Sequence, residues 1–162
     1  MKDPIIIDNW LSKNLNNFLE KYFLYEVPHK WGQTSDVGDN NYFYISELNS
    51  EDPLNRYLLY ELSTTLAKLN FKNLVLRRMY TNIQHPGMDG IFHKDNVDLT
   101  VIYMVTKTLK KGGEFQIKNG KKCSFIKNRL ILFNGMDEHR GLAAKEDAVR
   151  ISLAFKLTKK ED

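Results

Sequence analysis

A histidine and a carboxylate separated by one residue are the first pair in this sequence that could do chemistry. They are His93 and Asp95, and residues i and i+2 of a strand project from one face, so both side chains can reach the same metal ion. His139 follows 46 residues after His93 and could supply a third ligand. Two imidazoles and one carboxylate leave the remaining coordination positions of an ion open, which is typical of non-haem Fe(II) oxygen chemistry.

A second polar pair lies in the last strand-like segment of the chain. Arg150 and Ser152 alternate there with apolar residues, so they share one face while the apolar set occupies the other. A polar pair on the inner face of a sheet is costly unless a ligand or partner satisfies it. A guanidinium beside a metal site is suited to bidentate capture of a carboxylate. A lone H-x-D motif arises readily by chance, and a histidine on a strand is usually a hydrogen-bonded core residue. The combination of that motif with His139 and with the Arg150–Ser152 pair nevertheless favours a metal site with an adjoining carboxylate-binding site.

Two helices are predicted to precede the strands and to support them. The first can be capped by Asp8 or Asn9, and the second starts at Asp52-Pro53 and stops near Asn70. Each carries an apolar stripe at helical spacing. The stripes are Leu11, Leu15, Phe18, Leu19 and Tyr22 in the first helix, and Leu54, Leu58, Leu62, Leu66 and Leu69 in the second.

Closely spaced strands follow Asn70, separated by turn dipeptides such as Pro86-Gly87 and Gly112-Gly113. Tyr42 to Ile45 forms an earlier short strand, after a loop from Thr34 to Asn41. Helices followed by strands, with no room for helices between them, predict a helix-buttressed β-sandwich or jelly roll. The predicted strands are Leu74 to Ile83, Ile91 to Asp95, Leu99 to Thr106, Glu114 to Lys118, Cys123 to Phe125, Arg129 to Phe133 and Val149 to Leu157.

Composition excludes several classes of protein. The chain has 162 residues, 42% of them apolar, which suits one globular domain. We expect residues 1–70 to be a helical support region and residues 71–162 a β core. Apolar runs are too short for a membrane span, no secretory signal is visible, and the single cysteine, Cys123, suits a reducing cytoplasm. The net charge of +4 is mild, and the lysine cluster from Lys107 to Lys122 is best explained as a solvated hairpin.

Further motifs accompany these residues in a fixed order between Leu74 and Leu157. They are Arg78-Met79-Tyr80, His93-x-Asp95, the strand from Thr100 to Val105, Gly112-Gly113-Glu114-Phe115, Leu132-Phe133 ahead of His139, and Arg150-x-Ser152. Taken together they resemble the Fe(II)- and 2-oxoglutarate-dependent oxygenases, specifically the prolyl 4-hydroxylase-like branch. The resemblance implies a mainly β fold with N-terminal helices, namely a double-stranded β-helix (jelly roll) braced by two helices.

The resemblance also implies the ligands of the site. Fe(II) would be bound by His93, Asp95 and His139. The distal carboxylate of 2-oxoglutarate would pair with Arg150, assisted by Tyr103 and Ser152, and Tyr80 would line the cosubstrate pocket. No catalytic residue beyond the metal ligands is implied.

The implied reaction is hydroxylation of a substrate C–H bond with O2, releasing succinate and CO2, with ascorbate as a candidate reductant. The expected substrate is a peptidyl proline, another amino-acid-like group or a small molecule, and the expected location is the cytoplasm. His85 precedes Pro86 and is expected in a turn rather than at the metal.

The alternative functions are a non-catalytic, cupin-like jelly-roll binding module, a nucleic-acid oxidative demethylase and a zinc hydrolase. A nucleic-acid or membrane partner is not expected, and the oligomeric state is left open.

Overall fold

The computed structural model describes residues 1, 3–36, 39–118 and 120–160 of the chain. In these residues two helices and ten strands form. The helices are α1 (Lys13–Tyr25) and α2 (Pro53–Lys68). The strands are β1 (Ile5–Ile7), β2 (Lys30–Gln33), β3 (Phe43–Glu47), β4 (Leu74–Gln84), β5 (Leu99–Met104), β6 (Phe115–Ile117), β7 (Lys122–Cys123), β8 (Arg129–Phe133), β9 (His139–Gly141) and β10 (Arg150–Lys159).

The strands form two antiparallel sheets. The major sheet has the order β1-β8-β5-β10-β4-β3-β2, and the minor sheet has the order β7-β6-β9. Side chains from both sheets share a core that includes Phe115 of β6, Cys123 of β7, and Ile131 and Phe133 of β8. The predicted jelly-roll architecture is therefore confirmed.

Both helices cover the other face of the major sheet. Their buried residues pack against the apolar side chains of β5 and β10, among them Val101, Leu153 and Phe155. Strand alternation explains this arrangement, because odd-numbered β10 residues point to the helices and even-numbered ones point away. The buried helix residues in this core are Leu19, Phe23, Leu58, Leu62 and Leu66. Neither helix combines the length and apolar character needed to cross a membrane, in the part of the chain that is described.

Several boundaries differ from the sequence-based expectations. α1 starts at Lys13 and is capped by Ser12, whose hydroxyl accepts a hydrogen bond from the Leu15 amide. Neither Asp8 nor Asn9 caps it, because the helix begins four or more residues later. Asp8 instead forms an ion pair with Arg129, and Asn9 has a φ of 56°, in the left-handed region. The segment expected to be a helical support region with one short strand, Tyr42 to Ile45, contributes three strands, β1, β2 and β3, to the major sheet.

The segment around the first histidine differs as well. The predicted strand from Ile91 to Asp95 reduces to an isolated bridge between His93 and His139. His139, expected in a turn-rich segment, starts the short strand β9. The backbone hydrogen bonds of His93 therefore connect two candidate metal ligands and do not make residues 91–95 a strand of the sheet.

Candidate metal centre and adjoining cavity

Backbone hydrogen bonds bring the three candidate metal ligands together. The amide of His93 donates to the carbonyl of His139 at 3.0 Å, and the amide of His139 donates back at 2.9 Å. Asp95 is fixed by donation from its amide to the carbonyl of Gly135 at 2.9 Å. One ligand atom of each of the three side chains lies within 4.8 Å of the others.

The imidazole rings are oriented by their Nδ1 atoms. Nδ1 of His93 lies 3.0 Å from the carbonyl of Ile91, and Nδ1 of His139 lies 2.9 Å from that of Asp137. A carbonyl only accepts, so both Nδ1 atoms carry a proton and Nε2 of each neutral ring carries a lone pair. These Nε2 atoms lie 3.5 Å and 3.3 Å from the two carboxylate oxygens of Asp95. Lone pairs of the imidazoles and oxygens of the carboxylate repel one another at these distances unless protons or a cation lie between them. The two imidazoles and the carboxylate therefore fit a metal ion.

The charge state of the centre also suits a cation. Burial by itself raises the pKa of Asp95, but hydrogen bonds with His139 and His93 and the charge of Lys156 hold it far below its usual range. Burial by itself lowers the pKa of His93, whereas hydrogen bonding to Asp95 and Ile91 brings it above its ordinary value. Asp95 is therefore a carboxylate at neutral pH, and protons compete with a metal ion for the histidines.

Arg150 is a buried cation next to this centre. Its side chain is 2% exposed, and it donates to the carbonyl of Gly113, the amide oxygen of Gln84 and the hydroxyl of Ser152. All three acceptors are neutral, and no described carboxylate forms an ion pair with Arg150. Burial lowers the pKa of Arg150 to about 10, so the group is still charged at neutral pH. A buried cation held only by neutral groups favours an anionic ligand.

The packing around this guanidinium is tight. A Cβ atom at Gly141 would lie 2.9 Å from Nη2 of Arg150. A glycine in β9 therefore allows the arginine side chain to reach its position against the minor sheet.

A cavity of about 380 Å³ connects the metal ligands with Arg150. Its lining contains six of the seven residues implicated by sequence, which are Tyr80, His93, Asp95, His139, Arg150 and Ser152. The ring of His139 also packs against Phe133 and Phe115 of the apolar core between the sheets, at centroid distances of 4.5 Å and 5.7 Å. The metal ligands thus face a cavity and are backed by apolar packing.

Tyr103 is the exception, because the structure does not place its side chain at the cavity where its expected role requires it. Its side chain belongs to the helix-facing core, where its hydroxyl accepts from the amide of Asn16 and donates to the side-chain oxygen of Asn128 at 3.0 Å. The cavity is instead lined by the preceding β5 residue, Ile102. Alternation along β5 explains the difference, because adjacent residues project to opposite faces.

We expect Tyr103→Phe to destabilise the protein by about 1–3 kcal/mol, because two buried amide side chains lose a partner. Its affinity for 2-oxoglutarate should be unchanged. Urea unfolding and isothermal titration would measure the two quantities. Tyr57→Phe is a matched control, since Tyr57 lies on the exposed surface of α2 and its hydroxyl donates a hydrogen bond to Glu61. Weaker 2-oxoglutarate binding with unchanged stability would contradict the placement of Tyr103.

Three cavity-side residues were missed by sequence reasoning. Gln84 lies opposite Arg150 in the β4–β10 pairing and accepts its hydrogen bond. Thr100 donates to Oδ2 of Asp95 at 2.6 Å, and Lys156 forms an ion pair with the same oxygen. The alternation of β10 places Lys156 on the face of Arg150, so a signal for it was present in the sequence.

Comparisons with known proteins give structural matches only. No protein-family model and no curated protein matches the sequence. The prolyl hydroxylase of Trichoplax adhaerens, solved with a hypoxia-inducible-factor peptide fragment, has a TM-score of 0.76 and 20% identity, over 98% of this chain and 84% of that one. The viral collagen prolyl hydroxylase of Paramecium Bursaria Chlorella virus-1, in its 2-oxoglutarate complex, gives 0.74 and 14%, over 99% and 97%.

A third similar structure has a different ligand. HygX of Streptomyces hygroscopicus, solved with nickel, 2-oxoglutarate and hygromycin B, has a TM-score of 0.75 and 9% identity, over 98% of this chain and 84% of that one. All three likenesses extend over nearly the whole chain at low identity. The chain therefore has the jelly-roll fold of the 2-oxoglutarate- and Fe(II)-dependent oxygenases.

Proposed function

We propose that this protein is an Fe(II)- and 2-oxoglutarate-dependent dioxygenase that hydroxylates a substrate C–H bond and releases succinate and CO2. The observation that carries the proposal is the buried Arg150, held only by neutral groups and open to the same cavity as His93, Asp95 and His139. A zinc hydrolase would use the three ligands but leave Arg150 unexplained. A binding module with core histidines would likewise leave the buried Arg150 without an anionic partner.

Each residue of the centre has a distinct role in this proposal. His93, Asp95 and His139 hold Fe(II), which supplies the oxidising chemistry together with 2-oxoglutarate and O2. Arg150 binds the distal carboxylate of 2-oxoglutarate with help from the hydroxyl of Ser152. Gln84 orients the guanidinium, and the apolar packing behind His139 excludes water from that side.

The substrate class is a finer part of the proposal. Hydroxylation of a peptidyl proline, or of another amino-acid-like group, is supported by the likeness to prolyl hydroxylases, one of which was solved with a peptide. The HygX structure contains hygromycin B instead, so the same fold accommodates other ligands. A cytoplasmic location remains a prediction from the single cysteine.

The test is an anaerobic titration with Fe(II) and 2-oxoglutarate, observed by visible absorption. A charge-transfer band that saturates near one equivalent is expected, because the keto acid chelates the iron. Succinate is the matched control ligand, since it lacks the keto group and should give no band. The absence of a band from folded protein would contradict the proposal and favour the zinc or binding-module alternatives.

A further inference from the structure

Lys156 is a buried cation at the metal centre that the proposed function does not use. Its side chain is 9% exposed and forms an ion pair with Oδ2 of Asp95. It extends from the cavity face of β10, the face that also carries Arg150 and Ser152. Its Nζ lies 5.7 Å from the centre of the Tyr80 ring, a cation–π contact that helps to hold the ammonium in place.

The two oxygens of Asp95 have different surroundings. Oδ2 accepts from the hydroxyl of Thr100 at 2.6 Å and pairs with Lys156, in addition to lying 3.3 Å from Nε2 of His139. Oδ1 lies 3.5 Å from Nε2 of His93, its one ion-pair contact among the described residues. The lone pairs of Oδ2 are thus taken by two donors, whereas Oδ1 is available to a cation.

The fold sets these two donors side by side. Thr100 of β5 and Lys156 of β10 are directly opposite in the antiparallel pairing, at the distance where side chains on one face interact. Both side chains therefore reach the same oxygen of Asp95 from the major sheet. The sheet register, rather than a mobile loop, determines how the carboxylate is rotated.

We propose that Lys156 is a positioning residue that, with Thr100, holds Oδ2 of Asp95 so that Oδ1 alone is presented to the metal ion. This inference rests on the proposed function. A carboxylate that coordinates through one oxygen leaves positions open for the cosubstrate and O2. Without these donors the carboxylate can rotate and chelate the ion with both oxygens, which occupies a position that the cosubstrate needs.

The test replaces Lys156 by Met, which preserves the length of the side chain but removes the charge and the donor. We expect 2-oxoglutarate binding to the Mn(II)-loaded protein, measured by isothermal titration without O2, to weaken by about tenfold, because the rotated carboxylate occupies a position that the cosubstrate needs. The Fe(II)–2-oxoglutarate charge-transfer band should also shift or lose intensity. Lys156→Arg, which retains a charged donor, should restore both properties.

Two further variants complete the test. Lys159→Met makes the same change at an exposed position on the same strand and should leave both measurements unchanged. Thr100→Val removes the other donor to Oδ2 and should change them in the same direction as Lys156→Met, which covers the case in which Lys156→Met does not fold.

The outcomes separate this inference from the proposed function. If Lys156→Met loaded with Mn(II) binds 2-oxoglutarate as tightly as the wild type, with an unchanged band, Lys156 does not position Asp95. Failure of Lys156→Arg to restore the band would overturn the inference as well. A wild-type protein that gives no band would instead contradict the proposed function itself.

Discussion

His139→Ala is expected to abolish succinate release while the protein remains folded. The side chain is one of the three proposed metal ligands, and its loss would leave two groups to hold the ion. It lies at the cavity wall, outside the helix-facing core that stabilises the major sheet. Succinate production and Fe(II) binding measure the loss, and the urea unfolding midpoint measures the integrity of the fold.

Asp95→Ala should abolish turnover too, but it is not neutral for stability. The structure shows that Lys156 would lose its ion-pair partner inside the protein. Removing one partner of a buried ion pair costs about 3–5 kcal/mol. Asp95→Asn, which retains an acceptor for the ammonium, should therefore be more stable than Asp95→Ala while remaining inactive.

His85→Ala is the matched control for these ligand variants. His85 lies in the turn after β4, outside the cavity lining, and meets the ring of Tyr44 edge to face with the ring centroids 6.0 Å apart. Its replacement should preserve both turnover and Fe(II) binding. Full activity of His139→Ala, or loss of activity in His85→Ala alone, would show that the ligand set is misassigned.

Arg150→Ala is expected to weaken 2-oxoglutarate binding by about 2–4 kcal/mol, roughly 30- to 1000-fold, because the bound carboxylate loses its buried charged partner. Metal binding should be retained, since Arg150 contacts neutral groups and not the three ligands. Titration of the Mn(II)-loaded protein with 2-oxoglutarate, without O2, measures the change.

The stability of the ligand-free protein provides a second readout for this variant. Arg150 is a buried charge without a described carboxylate partner, so replacing it by Met should not lower the unfolding free energy as much as truncating a core apolar residue does. Arg56→Ala, at an exposed position of α2 with an ion pair to Glu51, is the control for loss of an arginine. Unchanged 2-oxoglutarate affinity in Arg150→Ala would transfer the carboxylate-binding role to Lys156 or another cation.

The sequence was informative where polar and apolar residues alternate. In β10 the alternation separates the helix-facing set from Arg150 and Ser152, and the predicted faces agree with the structure. The stripe of α2 was predicted for a similar reason, since its buried leucines recur at every fourth position. In α1 the prediction holds for Leu19 but not for Phe18, which is 51% exposed, and Phe23 is buried instead. Such patterns predict a face because burial follows side-chain polarity.

The face to which a side chain points could not be predicted where polar and apolar residues do not alternate along the strand. Five of the six β5 residues are apolar, Leu99-Thr100-Val101-Ile102-Tyr103-Met104, so the orientation of Tyr103 depends on its pairing with Leu153 in β10. The partner of Lys156 is equally a property of tertiary structure, because Asp95 lies 61 residues earlier. Contacts between distant segments depend on register, which neither segment encodes alone.

The strand β10 lies at the centre of the major sheet, between β5 and β4. This position limits which mutations the strand tolerates. Substitutions can alter its helix-facing residues or its cavity-facing residues independently. Insertion or deletion of a single codon would exchange the two faces downstream of the change, moving leucines into the cavity and cations into the core. The loops around the cavity opening bear no such constraint, so new substrate preferences in descendants of this protein should evolve through changes in loop length, while β10 retains its length.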